Sequence, residues 1–180
     1  MKKLFIPIVI ILAVGLFFYL KFKNNSQSGA VQPGTTTNNT FHPDPSAATF
    51  QFDDETVTLS QGQAETSGTD TTDETALLTM RAYGDLNADN KDDAVVFLTR
   101  SGGGSGVFVY VAAYVSGPIN YKGSNAIFLG DRVTPQSMVF NKGIVTVKYL
   151  DRGPDEPFAA EPTIPVSKQF VYKNGTFEER

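Results

Sequence analysis

Residues 107–115 read Val-Phe-Val-Tyr-Val-Ala-Ala-Tyr-Val, and this segment constrains the fold more than any other. Successive side chains of an extended strand point to opposite faces. Val107, Val109, Val111, Ala113 and Val115 therefore share one face, and Phe108, Tyr110, Ala112 and Tyr114 share the other. Both faces are apolar, which predicts a central strand covered on both sides. Such a strand needs neighbours at both edges and a layer above and below. Shorter strands are expected around Val57 and Leu59, and over 77–83, 94–99, 127–129, 137–140, 144–150, 168–173 and 176–179. Asn174-Gly175 fits a two-residue hairpin, because both residues tolerate positive φ. Asn141-Lys142-Gly143 fits a three-residue hairpin with glycine at the left-handed position. Beyond the N-terminal segment no 3.6-residue apolar period lasts more than two turns. The expected fold is mostly β, a single antiparallel β-sandwich or open barrel of seven to nine strands. No internal repeat is present, which argues against a propeller.

Residues 4–20 are uncharged and almost wholly apolar, at the short end for a membrane-spanning helix. Lys2 and Lys3 precede them and Lys21 and Lys23 follow. A cleaved signal peptide needs a small-x-small site after the apolar run. Here Leu16-Phe17-Phe18-Tyr19-Leu20 is bulky and Lys21 follows at once. The expectation is one uncleaved N-terminal transmembrane helix within residues 1–23. The N-terminus would be cytoplasmic and the rest extracytoplasmic, by a narrow margin of flanking charge. Residues 24–48, rich in Thr, Asn, Ser, Pro and Gly, read as a flexible polar stalk. Residues 49–180 form the β-domain. The only histidine, His42, is expected to be solvated in the stalk. All 19 acidic residues, but only 11 of the 15 basic ones, lie beyond Lys23, a net charge of −8. So acidic a domain is a poor ligand for phosphate backbones, and nucleic acid is discounted as a partner. With no cysteine there is no disulfide, thiol nucleophile or zinc–thiolate site.

The feature with most chemistry is the acidic loop Asp85-Leu86-Asn87-Ala88-Asp89-Asn90-Lys91-Asp92-Asp93, set between two apolar runs. Hard cations such as calcium take six to eight oxygen ligands, and alternate residues of a tight loop can aim oxygens at one centre. Asp85, Asn87 and Asp89 fill positions 1, 3 and 5 of a calcium loop. Asn90 stands at position 6, where the turn usually wants glycine. Lys91 would contribute its carbonyl at position 7, and Asp93 its carboxylate at position 9. Position 12, normally a bidentate glutamate, is Val96. The expected metal set is thus Asp85, Asn87, Asp89, Lys91 and Asp93, with a structural calcium as the cofactor. The competing reading is a solvated turn, since Asp and Asn readily bond their own backbone.

Other motifs carry less. Ser101-Gly102-Gly103-Gly104-Ser105-Gly106 precedes a strand, so it is not a phosphate-binding loop. It reads as a hairpin connection or a place of close approach. Asp131, Asp151, Asp155 and Glu156 could serve a carboxylate hydrolase only by converging, and nothing in the sequence brings them together. No catalytic constellation stands out, which makes a non-enzyme the expectation.

The loop resembles the strand–loop–strand calcium loops of integrin-type propeller repeats. The order of Gly84-Asp85-Leu86-Asn87-Ala88-Asp89-Asn90-Lys91-Asp92-Asp93-Ala94-Val95-Val96, then Gly103-Gly104-Ser105-Gly106-Val107-Phe108-Val109-Tyr110-Val111-Ala112-Ala113, then Leu129-Gly130-Asp131-Arg132-Val133, is similar to that of a group of uncharacterised bacterial envelope proteins. Members are secreted or lipid-anchored, whereas this chain has a hydrophobic segment in place of a lipoprotein cysteine. The resemblance implies an extracytoplasmic β-domain and supplies no reaction. The expected function is a membrane-anchored binding module with a calcium loop, directed at an envelope protein or a glycan. The alternatives are an envelope hydrolase and a structural subunit of an envelope complex.

Overall fold

A computed structural model describes residues 41–180, apart from residue 54 and residues 68–70. The helix expected over 4–20 and the first part of the stalk lie outside the described residues. Among the described residues no helix is long and apolar enough to cross a membrane.

Among the described residues, twelve strands follow a 3-10 turn, Pro45–Ala47. They are β1 (Thr49–Gln51), β2 (Thr56–Thr58), β3 (Gln63–Ser67), β4 (Thr72–Gly84), β5 (Asp93–Ser101) and β6 (Phe108–Val115). The rest are β7 (Lys122–Gly123), β8 (Ile127–Asp131), β9 (Thr134–Asn141), β10 (Ile144–Asp151), β11 (Ile164–Lys173) and β12 (Thr176–Glu179). The fold is mostly β, and among the described residues it forms three antiparallel sheets with no closed barrel. Strands β3-β4-β5-β6-β7 form one sheet, with β8 also pairing with β6. Strands β12-β11-β10-β9 form the second, and β1-β2 the third. Twelve strands exceed the seven to nine expected, because β1, β3 and β7 are short or polar and give no alternating signal.

The centre is β5 paired with β6, from Ala94 opposite Tyr114 to Arg100 opposite Phe108. One face of this pair, Val95, Phe97, Val109, Val111, Ala113 and Val115, shares a core with Val145, Val147, Tyr149, Phe170 and Phe177 of the four-stranded sheet. The opposite face, Ala94, Val96, Leu98 and Ala112, packs with Phe50, Phe52, Val57 and Leu59 around the β1–β2 hairpin. Strand β6 is therefore central, as its sequence predicts. Its second face is covered only in part, for Phe108 is 40% exposed and Tyr110 half-buried while Ala112 is fully buried. The reason is length: each strand of the covering hairpin has three residues and cannot span the face of an eight-residue strand.

Three two-residue turns share one chemistry. Gln61-Gly62, Lys142-Gly143 and Asn174-Gly175 each hold two successive positive φ angles. That twist matches the flanking strands, and glycine takes the second position without strain. The turn at 141–143 differs from the three-residue expectation. Asn141 is paired with Ile144 in the ladder, so the loop is Lys142-Gly143 alone.

At the end of the segment expected to form the stalk, the chain is partly packed. Pro45 and Ala48 are buried. The Asp44 side chain caps the 3-10 turn by accepting from Ser46 N at 3.1 Å. His42, expected to be solvated, stacks on Tyr83 at 4.1 Å between ring centroids. Its Nδ1 lies 3.1 Å from Asp92 Oδ2.

Candidate functional site

The acidic loop joins β4 to β5, and two features fix it to the body of the domain. Leu86 is 6% exposed and belongs to the main core, so the loop cannot lift away freely. Asp93, the first residue of β5, is 1% exposed. Its Oδ2 accepts from Leu86 N at 2.8 Å and its Oδ1 from Ser116 N at 2.8 Å. It thereby ties the start of the loop to the segment that follows β6. Burial pushes the Asp93 carboxyl above the ordinary aspartate range, against the pull of these two backbone donors.

Within the loop the side chains close short rings onto their own backbone. Asp85 accepts from Asp89 N at 3.1 Å and from Asn90 N at 2.9 Å, through its two oxygens. Asn87 Oδ1 accepts from Asp89 N at 3.1 Å, and Asp89 Oδ1 accepts from Lys91 N at 2.9 Å. Ala88 and Asn90 take positive φ, 63° and 64°. Asn90 thus adopts the left-handed turn that position 6 of a calcium loop demands, and asparagine tolerates it better than most residues. Val96, at position 12, is fully buried in β5 and faces the hairpin core, so no side chain there reaches the loop.

Ser116 is a partner that the sequence did not reveal. Its hydroxyl donates to Asp89 Oδ2 at 2.6 Å, and its carbonyl accepts from Asn87 Nδ2 at 2.8 Å. The hydroxyl holds the Asp89 carboxyl below the ordinary range, chiefly through that hydrogen bond, with Lys91 N and the Lys91 charge adding to it. Lys91 Nζ lies 3.7 Å from Asp89 Oδ2. Tyr121 donates to the Asp92 carbonyl at 2.9 Å.

Of the five expected ligands, the structure brings Asp85, Asn87, Asp89 and the Lys91 backbone into one hydrogen-bonded turn. Asp93 sits below it, committed to Leu86 and Ser116. Among the described residues no three His, Cys, Asp or Glu side chains converge closely enough to hold a metal ion together. The donor chemistry still suits a hard cation. Every side-chain donor is an oxygen, and a carboxylate oxygen that accepts one N–H keeps a further lone pair.

The acids of the hydrolase reading are dispersed in function. Asp131 Oδ1 accepts from Val107 N, Asp151 Oδ1 from Arg152 N, and Glu156 Oε2 from Gly153 N. Arg152 spans this region through backbone carbonyls of Asp131 and Arg132. Three cavities, of about 280, 390 and 470 Å³, open elsewhere, and none is lined by these acids.

The glycine-rich segment between β5 and β6 is a place of close approach. A Cβ on Gly102 would run into the Asp73 carboxylate, and one on Gly106 would come within 2.8 Å of the Phe108 ring. No protein-family model matches this chain, and neither the curated proteins nor the solved structures hold a match to it.

Proposed function

We propose that the chain is a membrane-anchored extracytoplasmic binding module whose acidic loop is ordered by calcium. The observation that carries the calcium reading is the loop skeleton. Positive φ at Ala88 and Asn90 coincides with backbone-closing bonds from Asp85, Asn87 and Asp89 at alternate positions. An oxygen-only donor set on such a turn suits calcium better than a softer metal. The anchor rests on the apolar segment 4–20 with lysines on both flanks. The role of the ion is structural, because Leu86 and Asp93 fasten the loop to the core. A binding role is favoured over hydrolysis because Asp131, Asp151 and Glu156 each serve a backbone donor.

The test is calorimetric titration of calcium into the full chain in lipid nanodiscs, with thermal melts in calcium and in chelator. Saturable binding is expected in the weak range, about 10⁻⁴–10⁻³ M, since the bidentate glutamate is missing. At ten times that concentration the gain in stability is about 1.4 kcal/mol. Asp89→Ala should abolish both effects. No heat and an unchanged melt at several-fold higher calcium would reduce the loop to a turn held by its own side chains.

A further inference from the structure

Among the described residues, one end of the β5–β6 pair keeps part of its second face exposed. Tyr110 of β6 is the direct cross-strand neighbour of Phe128 of β8, and their rings lie 5.5 Å apart. Phe108 continues the row, 6.1 Å from Phe128, and Phe52 meets Tyr110 edge-on at 5.0 Å. Phe108 and Phe128 are 40% and 49% exposed, side by side on this face. Beside the row opens the cavity of about 280 Å³, lined by Asp73, Arg100, Ser101, Gly102, Phe108 and Tyr110. Arg100, 9% exposed, bonds Asp73 Oδ2 at 2.9 Å and also Glu55 Oε1, while its guanidinium lies 5.5 Å from the Phe52 ring centroid. The Asp73 carboxylate is thus held in a fixed position beside the aromatic row, and Glu55 holds Arg100 from outside the cavity lining.

We propose that this face binds a neutral oligosaccharide. The inference deepens the binding-module reading and rests on it. A pyranose ring presents C–H bonds on one face and hydroxyls around its rim. Exposed rings in a row can stack on the first, and the pinned Asp73 carboxylate can accept from the second. Sites of this kind combine apolar walls with a few fixed polar groups. Charge narrows the class further. Glu55 and Asp73 outnumber Arg100, and the whole chain carries −4, so acidic glycans are repelled. The carboxylates also disfavour a wholly apolar protein surface, which would strip their water without offering donors.

The test titrates cellohexaose, chitohexaose and maltohexaose, with polygalacturonate as the anionic counterpart, into the full chain in nanodiscs, with empty nanodiscs as the blank. At least one neutral hexasaccharide should bind, and polygalacturonate at least about tenfold more weakly. Phe128→Ala and Phe108→Ala should each weaken binding by about tenfold, with an unchanged circular dichroism spectrum, while Phe108→Tyr retains it. Absence of binding to all three neutral sugars, binding indifferent to both alanine variants, or preference for polygalacturonate would overturn the proposal. So would a dimer that dissociates on Phe128→Ala in a chain that ignores sugars, since the row would then serve a second copy. Every titration is run in calcium and in chelator. Failure of the calcium reading shows in the chelator comparison and in Asp89→Ala, and failure of the sugar reading in the phenylalanine variants.

Discussion

Replacing Asp93 by alanine should destabilise the domain whether or not calcium is present. The side chain is buried, and its two oxygens satisfy Leu86 N and Ser116 N, both at 2.8 Å. A hydrogen bond to a charged group is worth about 1.5–3 kcal/mol, and a stranded buried donor loses about 1–3 kcal/mol. Two donors are stranded together, for a gross loss of roughly 2–6 kcal/mol. Part of this is returned, because the substitution also removes a buried charge whose ionisation is already unfavourable, as the raised carboxyl pKa shows. The net expectation is about 2–4 kcal/mol, a large fraction of the 5–15 kcal/mol that holds a typical domain. Asp93→Asn keeps one acceptor and sets an amide donor against the other N–H, so it should fall between wild type and alanine. The assay is urea unfolding of the full chain followed by circular dichroism, in chelator and in calcium. A loss below about 1 kcal/mol in chelator would refute the reasoning, because Asp93 would then matter only as a cation ligand.

Two further outcomes follow from particular contacts. Gly123→Ala places a methyl group against the Thr49 carbonyl and within 2.9 Å of the Phe50 ring. The expected loss is about 1–3 kcal/mol, with hydrogen-exchange protection of residues 49–51 falling first. Stability in chelator also carries a pH signature of Asp93. Its folded pKa is raised, so between the unfolded aspartate value of 3.8 and that higher folded value the native state binds more protons. Its contribution to stability therefore declines as pH rises through this window. Asp89 acts in the opposite sense, since its lowered pKa gives stability above 3.8 that is lost as pH falls through its folded value. Urea midpoints from pH 3.5 to 6 should show the Asp93 component, and Asp93→Asn should remove it.

The long apolar strands were legible because burial leaves a period-two trace. Strands β5, β6 and β10 lie within two residues of their expected limits. Strand β3 was not legible: Gln63–Ser67 lies at the sheet edge with a polar, mostly exposed surface, and its one cue is the Gln61-Gly62 turn before it. Strand β7 is two residues held by β6 and gives no pattern of its own. The loop positions 85–91 could be read because each side chain acts on backbone two to five residues away. Ser116 could not, being 23 residues from Asp93 and outside any motif. One route to it existed. If 94–99 and 107–115 form a hairpin across the glycine-rich segment, residue 93 must lie beside the residues that follow 115. His42 offered no such route, because its contacts with Tyr83 and Asp92 depend on how residues 41–48 fold back.

The two candidate sites sit at opposite ends of one strand pair, and this bears on whether they communicate. Asp93 and Ser116 mark one end of β5–β6, and Arg100 and Phe108 the other. At about 3.3 Å per residue, the eight steps between Asp93 and Ser101 put them roughly 25 Å apart. Between them the strand interior is fully buried, with Val95, Val96, Phe97 and Leu98 at 0–1% exposure. A close-packed interior of this kind offers no second arrangement for an ion at one end to select, and coupling needs an element with two discrete states. Calcium should therefore order the acidic loop and raise stability without changing sugar affinity at the aromatic row. Equal dissociation constants in calcium and in chelator are the outcome this architecture demands. A several-fold difference would mean that β5–β6 has an alternative register or packing that the buried core does not suggest.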